Sequence, residues 1–327
     1  MRFARQTRRS RGLVLVAAVT TAVSLLAGCG SSGSDDASSG AADTAEPSGG
    51  LPDAFPVTIQ AGNGSVTLDE QPEKIVVLGP TLTETVYAIG AGTQVVAVDE
   101  SSNYPAEAPE AQISAFQPNA EAVSAFKPDL VLTTGDANGL VKALDTLKIK
   151  VLVLPAPKDL NGAYEQMVTI GRATGHEDDA KKVSEEVKSR VAKAVAGVSA
   201  AAKGKKVYHE LDQTYYSLTS ATFIGDVYKQ FGLTNIADAA KDAVSTGGYP
   251  QLSAEYILSQ APDLVVLGDT KCCQQSAATV AKRPGFANLP AVKNGTVLAA
   301  DDDIASRWGP RVADFAESVS TELGKLK

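Results

Sequence analysis

The sequence predicts an α/β protein of two lobes built to one design and joined by a long helix, and three observations predict it. A stretch opening Asn119-Ala120-Glu121 and running into Pro128-Asp129-Leu130-Val131-Leu132 recurs as Ser253-Ala254-Glu255 running into Pro262-Asp263-Leu264-Val265-Val266. Each copy reads as a capped helix, a proline stop and an apolar, β-branched run of the buried-strand kind. An earlier unit recurs too: Lys74–Leu78, a helix from Thr83 to Ile89 and Gly90 are matched by Lys206–Leu211, a helix from Thr222 to Phe231 and Gly232. Duplicated strand–helix units imply two lobes of one architecture. Between them, residues 160–203 are almost free of proline and carry apolar residues at helical spacing: Tyr164, Met167, Val168 and Ile170, then Val183, Val187, Val191 and Val195.

The chain begins with an export signal. Arg2, Arg5, Arg8, Arg9 and Arg11 precede an apolar run from Leu13 to Ala27, the charged and hydrophobic regions of such a signal. The run falls short of the roughly 20 apolar residues that span a bilayer. It ends Leu26-Ala27-Gly28-Cys29, which resembles the bacterial lipobox. That resemblance implies cleavage of residues 1–28 and lipidation of Cys29, anchoring the protein to the outer face of the cell membrane. An ordinary signal peptide with a chance cysteine is the alternative, and Arg8-Arg9 leaves the twin-arginine route open. Residues 29–52, mostly Ser, Gly, Ala and Asp, cannot offset the entropy of ordering and read as a tether. As a flexible coil it would reach roughly 25 Å.

The lobes are expected at 53–159 and 205–327, with the linker helix region at 160–204. Residues 55–68 alternate about Gly62-Asn63-Gly64 and read as a β-hairpin. Val95–Val98 is the next strand after Gly90, and Asn235-Ile236-Ala237 opens the corresponding segment of the second half. Gly171 and Gly175 interrupt the helical periodicity, so one long helix is expected from about Glu177. At about 25 residues it would measure about 38 Å and act as a strut between lobes. An amphipathic helix packed on one lobe is the other reading.

Composition narrows the function. At 327 residues with 44% hydrophobic and 21% charged, the chain is globular, and its net charge of −8 falls to −13 once the five arginines of residues 1–28 are removed. With no basic block beyond the first dozen positions, nucleic acid is excluded as a partner. Two distant histidines, His176 and His209, and three cysteines leave little to ligate a metal, so no resident metal or cofactor is expected. Catalytic signatures are missing as well. Gly90-Ala91-Gly92 lacks the third glycine of a dinucleotide loop, and neither a Gly-Lys-Ser/Thr loop nor a Gly-x-Ser-x-Gly elbow occurs. The chain is not expected to be an enzyme.

The lipobox, the polar tether, the hairpin, Pro72-Glu73-Lys74-Ile75-Val76-Val77-Leu78, Thr83-Glu84 leading a helix to Gly90-Ala91-Gly92, and the two Glu-helix-Pro-Asp-Leu-Val units together resemble one family. It is the substrate-binding lipoproteins of ABC importers for iron-siderophores, haem and cobalamin. The likeness runs from about residue 55 to the C-terminus and includes Asp301-Asp302-Asp303-Ile304-Ala305-Ser306-Arg307-Trp308-Gly309-Pro310-Arg311. The resemblance implies two Rossmann-like lobes joined by one long α-helix, a ligand cleft between them, and only small closure. It implies a monomer that captures a ferric siderophore first, cobalamin second or haem third, and delivers it to an ABC permease dimer with its ATPase. A chelatase-like enzyme on the same fold and a surface lipoprotein without a ligand are the rival classes.

Site residues follow from the same resemblance. Glu121 and Glu255 match the lobe-tip glutamates that engage the permease; a carboxylate in a first helical turn also complements the helix dipole without any partner. Phe116 and Tyr249, before the two Glu helices, line up with ligand-packing positions. Tyr104, Tyr215 and Tyr216 lie in loops after strands, where open α/β sheets place ligands. Asp303 and Arg307 match cleft positions, and Trp308 is the single tryptophan. The Arg307 fork suits an anionic ligand; a rim salt bridge to Asp301 or Asp302 is its plain alternative, and Arg311 reads equally as a structural ion pair. The single tryptophan weakens a corrinoid ligand without excluding it. Cys272 and Cys273, adjacent in a loop outside the cytoplasm, suggest a vicinal disulfide, against free or intermolecularly linked thiols.

Overall fold

The computed structural model describes residues 55–326. The export signal, Cys29 and the tether of residues 29–52 lie outside the described residues. β1 (Val57–Ala61) and β2 (Gly64–Leu68) form the expected antiparallel hairpin. At its turn the Asn63 side chain donates to the Val151 carbonyl and accepts from the Val153 amide. The hairpin thereby covers a sheet edge whose backbone groups would otherwise be open to pairing.

β3 (Ile75–Leu78), α1 (Pro80–Ala88), β4 (Val95–Val98), α2 (Ala120–Ser124), β5 (Leu130–Thr133), α3 (Leu140–Thr146) and β6 (Lys150–Val153) then alternate. The strands make a parallel sheet of order β4-β3-β5-β6. Ile75, Val77, Leu130 and Leu132 pack on one face with Leu82 and Val86 of α1. Val76, Leu78 and Val131 pack on the other with Val123, Leu140 and Leu144. Because helices cover both faces, β3 reads as a continuous apolar run with no alternation.

The linker region departs from a single strut. α4 (Leu160–Thr174) and α5 (Glu177–Ala196) are separate helices, broken where Gly175 turns left-handed at φ 79°. They lie against each other closely enough that a Cβ at Gly171 would collide with Ala180. α4 starts in the second lobe's core with Leu160, Ala163 and Met167 and ends in the first lobe's core with Ile170 and Ala173. α5 returns, from Ala180 in the first core to Val187, Val191 and Ala194 in the second. With 20 residues α5 measures about 30 Å, shorter than expected. The connection is a helical hairpin that crosses between cores twice.

The second lobe contains β7 (Lys206–Glu210), α6 (Phe223–Gln230), β8 (Thr234–Asn235), α7 (Ala254–Gln260), β9 (Leu264–Leu267), α8 (Thr270–Cys273), α9 (Ala277–Lys282), α10 (Pro290–Asn294), β10 (Val297–Ala299), α11 (Asp302–Ala305) and α12 (Val312–Leu323). Its parallel sheet has the order β8-β7-β9-β10, the same arrangement as β4-β3-β5-β6, and the two sheets are separate. α12 packs on α5, where Arg190 bonds Asp314 and Glu317 and Ser320 bonds the Ala194 carbonyl.

The repeated motif is mirrored in detail. Asn119 Oδ1 accepts from the Glu121 and Ala122 amides, and Ser253 Oγ accepts from the Tyr256 amide, which caps α2 and α7. In each copy the residue before proline, Lys127 or Ala261, is left-handed. The aspartate after each proline then accepts a backbone amide at the start of the lobe's central strand: Asp129 from Lys74, Asp263 from Lys206.

Candidate functional site

The carboxyl ends of the two sheets are joined by a buried ion cluster. Asp99, directly after β4, accepts from the Gly79 amide at 2.8 Å and from the Ser101 and Ser102 hydroxyls, which folds the loop carrying Asn103 and Tyr104. Asn103 reaches the segment after β10: its Oδ1 accepts from both terminal nitrogens of Arg307 at 3.1 Å, and its Nδ2 donates to Asp303 at 3.0 Å. Arg307 also donates to Glu84 of α1 at 2.6 Å and to Asp303 at 2.7 Å. Glu84 accepts a second guanidinium, from Arg311 Nε at 2.9 Å and Nη2 at 2.5 Å. Arg307 is 7% and Glu84 3% exposed, and charges so buried persist only when paired and hydrogen-bonded. Burial works to raise the Asp303 carboxyl, but hydrogen bonds from Lys271 and Asn103 and the Arg307 charge keep it below the usual range.

Arg307 does not form the rim salt bridge that was its plain alternative. Its terminal nitrogens are engaged by Glu84, Asn103 and Asp303, and neither Asp301 nor Asp302 is its partner. Arg311 is a structural ion pair, one of its two expected readings, and its guanidinium lies 4.3 Å from the centre of the Tyr104 ring. Glu84, Asn103 and Asp99 were not singled out from sequence as site residues. The sequence signal for Glu84 was a single charge in the otherwise uncharged helical stretch from Pro80 to Ile89.

Four of the expected aromatic residues are exposed: Tyr104, Phe116, Tyr216 and Tyr249, with Phe116 at 82%. Tyr104 and Phe116 lie on the loop between β4 and α2. Tyr216 follows β7 and is bridged antiparallel to Gln251, and the Ser217 amide donates to the Pro250 carbonyl, so Tyr216 and Tyr249 sit two rungs apart on one ribbon. Tyr215 and Trp308 are placed differently. Tyr215, left-handed at φ 69°, stacks on Phe286 at 6.0 Å beneath Arg283. Trp308 is half-buried against the second lobe's core, and its Nε1 donates to Gln166 at 2.9 Å. Glu121 and Glu255 are both exposed in the first turns of α2 and α7.

Cys272 and Cys273 are joined as a vicinal disulfide. They lie on the one-turn helix α8 where a loop was expected, because Asp302 accepts the amides of Thr270, Lys271 and Cys272 at its start. Beside α8 are two buried acids. Glu210 is paired with Arg283 at 2.6 and 2.5 Å. Asp269 accepts no hydrogen bond at either carboxyl oxygen and faces Glu210; burial first, then the Glu210 charge and a hydrogen bond to Glu210 in the protonated form, push it up to about 7. His209 is buried beside Tyr228, its Nδ1 2.6 Å from the phenol, and burial lowers it to about 3. It is therefore neutral. Among the described residues no group of three or more His, Cys, Asp or Glu is arranged to hold a metal ion.

A family model described as periplasmic binding protein matches residues 75–304. A protein named cobalamin-binding protein from Halobacterium salinarum is 34% identical over 270 residues, spanning 80% of this chain and 72% of the relative. An uncharacterized ABC transporter substrate-binding lipoprotein from Bacillus subtilis, YvrC, is 31% identical over 317 residues, spanning 94% of this chain and 95% of the relative. A crystal structure from Staphylococcus epidermidis, described as a possible iron-binding (periplasmic solute-binding) protein, is 27% identical with a TM-score of 0.65, covering 77% of this chain and 99% of that one.

Proposed function

The chain belongs to the periplasmic binding protein family, and from that premise we propose that it is an extracytoplasmic lipoprotein that captures a corrinoid between its lobes and delivers it to an ABC importer. The carrying observation is the pairing of exposed Tyr104, Phe116, Tyr216 and Tyr249 with an Arg307 that is already engaged within the protein. A large, mostly apolar ligand is gripped by ring area, at roughly 150–250 Å² per aromatic side chain. An anionic ferric siderophore or haem propionate would instead need a free guanidinium. That moves cobalamin ahead of the siderophore expected first from sequence, and the name of the Halobacterium relative supports the same order.

The iron-binding description of the Staphylococcus structure favours a ferric siderophore as the second reading. One titration separates them. Cyanocobalamin, a ferric hydroxamate and haemin are added in turn while Trp308 fluorescence is followed. The corrinoid reading expects saturable quenching by cyanocobalamin at the lowest concentration. Saturation by the hydroxamate alone would replace it with the second reading, and quenching by none would end both.

Delivery would use Glu121 and Glu255, one exposed carboxylate per lobe at equivalent places in a duplicated fold, suited to addressing a two-fold permease. Anchoring would use Cys29, supported by the Leu26-Ala27-Gly28-Cys29 motif and by the lipoprotein description of the Bacillus relative. The chain's task is binding and hand-over, with no reaction catalysed.

A further inference from the structure

The vicinal disulfide lies at one end of a hydrogen-bond chain that reaches the other lobe. Both cysteines are on α8, with Cys272 exposed. A single helical turn is not stable alone, because nucleation fixes several residues for one hydrogen bond. Here it is restrained from two sides. Asp302 accepts three amides at its start, and the disulfide closes its end, where Gln274 turns left-handed at φ 54°. Lys271 extends the chain, donating to Asp301 and to Asp303 at 2.7 Å each. Asp303 in turn bonds Arg307 and Asn103, and Arg307 bonds Glu84 of the first lobe.

We propose that Cys272–Cys273 is a redox-modifiable site whose state sets how firmly the two lobes are bridged. As a disulfide it fixes α8, and Lys271 and Asp302 keep the Asp301–Asp303 segment in place for Arg307 and Asn103. A dithiol reductant reverses this. Its thiolate attacks the exposed Cys272 sulfur, the bond to Cys273 breaks, and Cys273 leaves as a thiolate that takes up a proton. The reductant's second thiol then displaces Cys272, which is protonated in turn. The pair gains two electrons and two protons, and the reductant ends as its own disulfide. α8 loses its terminal restraint, Lys271 parts from Asp301 and Asp303, and the bridge from Arg307 and Asn103 loosens.

The test uses the full-length protein with and without dithiothreitol, following alkylation by iodoacetamide with peptide mapping and amide hydrogen exchange by mass spectrometry. The peptide containing Cys272 and Cys273 is expected unmodified before reduction and doubly alkylated after it. Reduction is expected to speed exchange at least threefold in residues 270–274 and also in residues 101–104 and 303–308, with the β1–β2 hairpin unchanged. Lys271→Ala, which leaves the disulfide intact, is expected to speed exchange at 101–104 and 303–308 without any reductant. Alkylation of both thiols before reduction overturns the proposal. So does an exchange change confined to residues 270–275, or a Lys271→Ala protein whose junction exchanges like the parent's. None of these readouts involves a ligand, so their failure is separable from failure of the corrinoid reading.

Discussion

A buried carboxyl set against another buried carboxyl marks the second lobe at Asp269. Glu210 has Arg283 on both oxygens, whereas Asp269 has no cation bonded to it; burial, the Glu210 charge and a hydrogen bond to Glu210 raise it, with Arg283 opposing and Asp302 adding to the rise. Its pKa is raised to about 7, so the folded protein holds a proton that the unfolded chain releases near pH 4. The stability tied to this group is complete below the ordinary carboxylate range and is lost as pH rises through about 7. Asp269→Asn is therefore expected to melt near the parent below about pH 4 and increasingly above it up to about pH 8, at about 2–4 °C per kcal/mol. Thermal melts of both proteins across that range check it, and a gap independent of pH would contradict it. The pair of Asp269 with Glu210 was invisible in sequence because their separation along the chain has no period to betray it.

At the scale of elements, short-range chemistry accounts for most boundaries. Asn119 and Ser253 cap their helices through the hydrogen bonds expected of those residue types, and Asp129 and Asp263 tie each Pro-Asp corner to a central strand. The departure is the helical hairpin of α4 and α5. Gly171 and Gly175 were legible as interruptions, but their reason is tertiary: one allows close contact with Ala180, the other a left-handed turn beside Gln71. Gly171→Val forces the helices apart and is expected to lower stability by about 1–3 kcal/mol, the usual cost of overpacking. Urea unfolding measures it, and an unchanged midpoint would mean that the helices separate without cost.

For the whole molecule, both sheets repeat the arrangement in which the first strand is flanked by the second and third, so each lobe has its switch point at the carboxyl ends of β3 and β5 or of β7 and β9. The lobes are linked at those ends by Glu84, Asn103, Asp303, Arg307 and Arg311, and along the linker by α4 and α5. Two connections, themselves joined where Trp308 Nε1 donates to Gln166 of α4, restrict hinge motion more than one would. Under the proposed function, docking to the permease falls to Glu121 and Glu255, exposed at equivalent places in the two lobes. Glu121→Ala combined with Glu255→Ala is accordingly expected to leave the cyanocobalamin titration unchanged while reducing uptake by intact cells at least tenfold. Normal uptake would remove the docking role, and a weakened titration would make the two glutamates structural.

The sequence by itself determined what depends on neighbours within a few turns or strands: the hairpin, the caps, the buried strand runs and the repeat that makes two similar lobes. These follow from periodicity and side-chain chemistry, which act over about ten residues. Tertiary structure alone decided which charges meet. Arg307 lies 223 residues from Glu84, and only folding brings that carboxylate to it and makes the pair a bridge between lobes. It likewise decided which aromatic rings stay exposed, since Tyr215 and Tyr216 are adjacent in the chain, yet one stacks on Phe286 and the other is open to solvent. Burial is a property of the packed molecule, and a pattern of residue types cannot state it one position at a time.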